Sequence, residues 1–203
     1  MLDQIIVIAG ITFLIMISPG PDMVLVMRNT MIGGRPAGLT TSSGILAGNL
    51  VHITYCAVGI GWLISQSILA FTLLKYAAAA YLIYLGLVSF RATGKTLDPG
   101  AHAAVSNRNW FAQGFVNNIL NPKGTLFYLG VFTMVITPET SIGATLLLIA
   151  ISMSISALFW VFFVYTLDLR VIRKTLERCQ RAVTRIFGAV LIFLGIRLAV
   201  MER

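Results

Sequence analysis

A chain of 203 residues that is 58% hydrophobic and 11% charged departs from a soluble domain, in which about half the residues are apolar and about a quarter charged. The charges gather between long apolar runs instead of spreading along amphipathic faces, which excludes a water-soluble core and points to one membrane domain. The net charge of +8 has no soluble module to make it a nucleic-acid footprint, and Cys56 in an apolar run with Cys179 in a basic link makes neither a disulfide framework nor a spaced zinc site.

A span needs about 20 apolar residues, and six are expected, the first over 4–28. Asp3 stands where a signal peptide needs a basic segment and no small-residue cleavage site follows Ile5 to Ser18, so this helix is expected to be retained. Ser18-Pro19-Gly20-Pro21 breaks it, because the two prolines remove backbone donors and crowd the preceding turn, freeing carbonyls that lipid cannot satisfy. The second span, 41–64, repeats Gly44, Gly48, His52 and Cys56 every four positions with Asn49 beside them, a spacing that suits close helix packing through small residues. His52 and Cys56 share a face, but a closed zinc site takes four ligands and no second Cys/His cluster exists, so no metal is expected.

The third span, 68–90, carries Lys75 about two turns in, either as a lysine reaching the outer interface or as part of a site. In the fourth, 111–136, Gln113, Asn117 and Asn121 form an amide stripe, with Asn118 adjoining, that leads to a second break at Asn121-Pro122-Lys123-Gly124. Ser152, Ser156 and Trp160 align in the fifth, 142–167. In the sixth, 184–201, Arg185 and Arg197 stand about 18 Å apart at helical rise, so at least one extends to the headgroups.

Eleven of the fifteen basic residues follow spans one, three and five: Arg28 and Arg35; Arg91, Lys95 and Arg108; Arg170, Arg173, Lys174, Arg178, Arg181 and Arg185. This bias puts those links in the cytoplasm and both termini outside. The run Leu82-Ile83-Tyr84-Leu85-Gly86-Leu87 is echoed by Leu191-Ile192-Phe193-Leu194-Gly195-Ile196, and the breaks fall at corresponding places. A single transporter domain over 1–203 is therefore expected as two repeats, about 1–95 and 105–203. Three spans per repeat is an odd number, so the second repeat is inverted. Paired interruptions in inverted repeats point to a transporter's binding site near mid-membrane, with spans one and four broken there.

Helices restarting at Pro21 and Pro122 would present amide groups that attract an anion such as a substrate carboxylate. Asp22 and Lys123 follow the breaks, and a charge at mid-membrane costs about 2.5–3.5 kcal/mol. Two readings stand for them: an ion pair that clamps the halves, or Asp22 as proton or amine acceptor with Lys123 as carboxylate partner or switchable counter-charge. The candidate substrate-binding or coupling residues are Pro19, Gly20, Pro21, Asp22, Asn49, His52, Lys75, Asn117, Asn121, Pro122 and Lys123.

Ser18-Pro19-Gly20-Pro21-Asp22, Asn121-Pro122-Lys123 with Phe127, Leu74-Lys75 and Tyr81-Leu82-Ile83-Tyr84-Leu85-Gly86 together make the chain similar to the LysE/RhtB family of amino-acid exporters over nearly its whole length. The resemblance implies a multi-pass bacterial inner-membrane protein exporting amino acids or derivatives in exchange for protons, with substrate, protons and lipid as partners, no cofactor, and a homodimer left open. The family often has an acidic residue where this chain has Asn49, and many relatives end the fourth span with a proline-aromatic pattern where this chain reads Thr133-Met134-Val135-Ile136-Thr137-Pro138. Without a second acid, small neutral substrates of the threonine, homoserine or leucine kind are expected over lysine and arginine. The competing classes are an exporter of another small solute or cation, a channel, and a non-transporting membrane assembly protein. An intramembrane enzyme lacks its motifs here, with no His-Glu-x2-His, no Gly-x-Ser-x-Gly and no paired membrane aspartates.

Overall fold

Proline at 21 and at 122 begins a new helix in each case, because a residue without an N–H is tolerated in the first turn and not further in. The computed structural model describes residues 1–91, 109–137, 140–167 and 170–200, leaving aside the side chains at 58, 60–66, 68, 70, 71, 91, 122, 123, 125, 126, 170–181 and 183. Among the described residues there are seven helices and no strand: α1 (Leu2–Ile17), α2 (Pro21–Gln66), α3 (Ile68–Arg91), α4 (Trp110–Ile119), α5 (Pro122–Val135), α6 (Ile142–Thr166) and α7 (Arg170–Val200). Asn109 and Ser141 cap α4 and α6 by accepting from the backbone N–H groups of Ala112 and Ala144. The first expected span divides into α1 and the start of α2, bent by 55°. The fourth divides into α4 and α5.

Two boundaries differ from expectation. The stretch 29–40, expected as a link, stays helical on both sides of Gly34, whose φ of 71° and ψ of −172° interrupt α2. Glycine alone adopts that conformation without a side-chain clash, so one residue does the work of a loop. Pro36 then opens the second leg. The legs fold back on each other, since Asn29 donates to the Thr41 hydroxyl at 2.9 Å and Gly38 packs on Thr30. The sixth span was expected from 184, yet α7 begins at Arg170. Arg, Lys, Glu, Gln and Leu are all good helix formers, so the basic link continues the helix. At 31 residues, or about 46 Å, α7 exceeds a hydrocarbon core of about 30 Å.

Thr72–Phe90 of α3 and Ile142–Thr166 of α6 are long and apolar enough to cross a membrane, and α1 with Pro21–Ala57 passes the same test as a pair bent by 55° at the first break. Polarity runs inside out. Thr12, Asn29, Thr41, Asn49, His52, Asn118, Ser152 and Ser156 are buried, whereas Leu69, Ile142, Leu158, Phe162 and Phe193 face outward. Lipid accepts the second group and forbids exposing the first. Buried polar groups then serve as joints: Thr12 and Ser152 hydroxyls meet at 3.0 Å between α1 and α6, and Asn29 also donates to Gln113 of α4 at 3.1 Å.

The closest seam is between α2 and α4. A Cβ on Gly44 would collide with the Phe111 carbonyl, and one on Gly114 with the Thr41 carbonyl. Gly44→Ala should therefore destabilise the purified protein by about 1–3 kcal/mol through overpacking. Gly10→Ala, where a Cβ meets nothing within 4 Å, should change stability by less than about 0.5 kcal/mol. Thermal melts in detergent compare the two, and equal melting would remove the packing role of Gly44.

Candidate functional site

Asp22 occupies the first turn of α2, just past the first break, and its half-buried carboxylate accepts from three amides of the second break. Asn117 Nδ2 donates to Oδ1 at 2.6 Å; Asn118 Nδ2 and Asn121 Nδ2 donate to Oδ2 at 3.0 and 3.3 Å. Bonds to an ionised acceptor contribute about 1.5–3 kcal/mol each, enough together to offset an insertion cost of about 2.5–3.5 kcal/mol for the charge. The α2 amide ends favour the same anion. The amide stripe on α4 thus has a purpose that its spacing alone did not specify: it surrounds one carboxylate.

Asn118 is the hub. Its Nδ2 also donates to Asn49 Oδ1 at 3.0 Å, and its Oδ1 lies against Gly48, where any Cβ would strike it. The Asn118 carbonyl, near the end of α4, accepts from the Asn121 N–H at 3.0 Å and faces His52 Nε2 at 3.1 Å. A carbonyl only accepts, so His52 carries its hydrogen on Nε2, and Nδ1 accepts from the Tyr55 hydroxyl at 2.9 Å. His52 therefore adds a side-chain donor to a carbonyl at the end of α4 that already accepts from the Asn121 N–H.

Between the two breaks lies a cavity of about 40 Å³ lined by Ile15, Met16, Ser18, Gly20, Asp22, Met23, Asn49, Asn118, Asn121, Gly124, Tyr128 and Trp160. Ligand pockets usually run to about 300–1,000 Å³, so the cavity is small for an amino acid. Of the residues singled out in the sequence, Gly20, Asp22, Asn49 and Asn121 line it, while Asn117 and His52 hold its wall. Pro19 lies in the break and Pro21 opens α2. Lys75 is elsewhere on α3, buried, its ammonium 4.8 Å from the centre of the Tyr76 ring, and does not line the cavity. Pro122 and Lys123 form the first turn of α5; their side chains, and with them the Asp22–Lys123 ion pair, lie outside the described residues. Among those residues, no three His, Cys, Asp or Glu side chains gather as metal ligands would.

The sequence reading did not select Asn118, Tyr128 or Trp160 for the site. Trp160 continues the Ser152–Ser156 spacing and Tyr128 stands seven residues after Asn121, so helical phase from the second break was the available signal.

A carboxylate and its amides gathered at two facing helix breaks, inside a bundle whose outer surface is apolar, define the class: a helical membrane transport protein. The chain belongs to the family of LysE type translocators, whose match covers residues 12–202. It is 32% identical over 197 residues to the uncharacterized membrane protein YrhP of Bacillus subtilis, spanning 92% of this chain and 94% of that one. It is 30% identical over 188 residues to the homoserine/homoserine lactone efflux protein of Salmonella typhimurium, spanning 92% and 91%. Identity to the uncharacterized membrane protein YahN of Escherichia coli is 25% over 200 residues, spanning 97% and 89%. No solved structure matches the chain. The family makes this a membrane translocator rather than an enzyme.

Asn118→Ala should cost more stability than Asn117→Ala. The first removes a donor shared by Asp22 and Asn49 in a buried place; the second removes a bond from a half-buried side chain. Losses of about 2–3 and about 1 kcal/mol are expected, measured by denaturant or thermal unfolding in detergent. Equal losses would deny Asn118 its central role.

Proposed function

We propose that this protein exports small neutral amino acids across the bacterial inner membrane by exchange with protons. The observation that carries the reading is the Asp22 carboxylate, an acid at the meeting point of two helix breaks, held by amides from the opposite half of the chain. An ionised carboxylate only accepts hydrogen bonds; protonation replaces one acceptor site with an O–H donor. Protonating Asp22 removes the charge that strengthens the bonds from the three amide N–H groups and puts an O–H where an acceptor stood, so the joint between α2 and α4–α5 loosens. Proton binding and parting of the breaks are thereby the same event. Lys123, in the first turn of α5 that Pro122 opens, is assigned as a switchable counter-charge to Asp22, and the amide ends of α5 favour the carboxyl end of the substrate.

Six spans in two inverted halves, about 1–95 and 105–203, suit this mechanism. The copies of the repeated run support the halves: Gly86 on α3 lies against the Gly188 carbonyl and Ile192 on α7, and Gly195 against Ala79 and Ile83. The basic bias toward links one, three and five supports cytoplasmic placement of those links and external termini. The likeness to a homoserine/homoserine lactone efflux protein favours cargo of this size.

Asp22→Asn keeps the shape of the side chain and removes the titrating group. It should insert normally yet lose threonine uptake into inside-out vesicles energised acid inside, which wild type should show. Full proton-driven uptake by the variant would make Asp22 dispensable for coupling.

Substrate charge gives a second test. Only Asp22 offers a described fixed anion to an amine at the cavity, and a second cation left unpaired at depth should cost several kcal/mol. In proteoliposome counterflow of labelled threonine, unlabelled threonine, homoserine and leucine should exchange, with lysine and arginine exchanging at least about tenfold less. Strong lysine exchange would overturn the neutral preference.

A further inference from the structure

Tyr128 is 1% exposed, Trp160 3% and Asn49 2%, yet the phenol hydroxyl, the indole Nε1 and the amide Nδ2 have no hydrogen-bond partner within the protein. Leaving a buried donor unmade is costly, and lipid offers no substitute. The Ser152 and Ser156 hydroxyls lie near the phenol without closing a hydrogen bond on it. The Ser156 hydroxyl donates to the Ser152 carbonyl at 2.9 Å, the Ser152 and Thr12 hydroxyls bond each other at 3.0 Å, and Asn49 Oδ1 accepts from Asn118. All three residues nonetheless line one cavity, contributed by α2, α5 and α6. The unpaired Asn118 Oδ1 differs, since it packs on Gly48.

Three buried donors lining one cavity ask for an acceptor. They are neutral, which separates them from an arginine or lysine: a charged donor favours a carboxylate, whereas a hydroxyl, an indole and an amide serve a carboxylate or an ester carbonyl with less distinction. Asp22 supplies the opposite chemistry at the same cavity.

We propose that Asn49, Tyr128 and Trp160 form a neutral donor pocket for the carbonyl oxygen of the cargo, taking free acid and ester alike, while the cargo's ammonium faces Asp22. This rests on the export reading above and adds the residues that read the carbonyl group. Tyr128 and Trp160 become binding residues, and the donors stay unpaired until cargo enters. An amine with no carbonyl leaves all three unpaired in the bound state and binds weakly.

The test uses the full chain in nanodiscs with three probes: L-threonine, its methyl ester, and 1-amino-2-propanol, which keeps the amine and hydroxyl without the carboxyl. Wild type should bind threonine and the ester within about fivefold of each other, and the amino alcohol at least about tenfold more weakly. Tyr128→Phe and Trp160→Phe should each weaken threonine and ester by roughly three- to tenfold and leave the amino alcohol unchanged. Tyr128→Phe should also melt no lower than wild type without ligand, because it deletes a donor that has no partner there. Unchanged threonine and ester affinity in both variants would overturn the pocket, as would a wild type that binds threonine and rejects the ester, or a ligand-free Tyr128→Phe protein that melts lower. A wild type that binds none of the three probes would instead overturn the export reading and the pocket with it.

Discussion

Everything in this molecule depends on one bond set, the amides of Asn117, Asn118 and Asn121 closing on the Asp22 carboxylate. A bilayer has no water to solvate a broken helix or a charge. Two helix breaks and an acid are each unfavourable alone, yet brought together they answer one another. The breaks supply polar groups for the acid, and the acid gives the freed amides something to bind. Asn118 extends the set through Asn49 and through His52 at the carbonyl of its own residue, so both legs of α2 are tied to the end of α4.

That arrangement needs the backbones close together, and composition makes this feasible. Glycines at 44, 48 and 114 let α2 and α4 approach until side chain and backbone touch directly, and the Gly34 reversal aligns the two legs so that Asp22 and Asn49 reach the same amide. In lipid, where apolar contact between helices has little advantage over apolar contact with acyl chains, small residues and hydrogen bonds are the available glue. The α3–α7 seam repeats the device with Gly86 and Gly188.

The sequence made the two breaks legible because proline and glycine act locally, and it made the amide stripe legible because a helix returns every four residues to the same face. Chain pairing was less visible. Nothing local distinguishes Asn117, which bonds Asp22, from Gln113, which bonds Asn29 two turns away; that depends on which residue of α2 lies opposite. Residues 29–40 read as a link because they fall between two apolar runs, with Arg28 and Arg35 after the first, whereas burial of Asn29, Thr30, Ala37 and Gly38 keeps both flanks helical. The onset of α7 was hidden for another reason: hydropathy marks where a helix enters lipid, not where it begins. Nothing in the sequence set Tyr128 and Trp160 apart as binding residues, since an aromatic ring is ordinary in a membrane helix and only the unpaired heteroatom distinguishes it.

The small cavity has a thermodynamic consequence for the export proposal. At about 40 Å³ it is well below the size of an ordinary ligand pocket, so cargo would need a wider conformer, present as some fraction of the population. The apparent dissociation constant is the intrinsic one divided by that fraction, and each tenfold scarcity of the wide conformer subtracts about 1.4 kcal/mol from the observed affinity. A weak apparent affinity would then coexist with a site of high intrinsic complementarity. Such a deficit would suit an exporter, which must let its cargo go on the far side: the energy that recloses the breaks would also be the energy that expels what was bound between them.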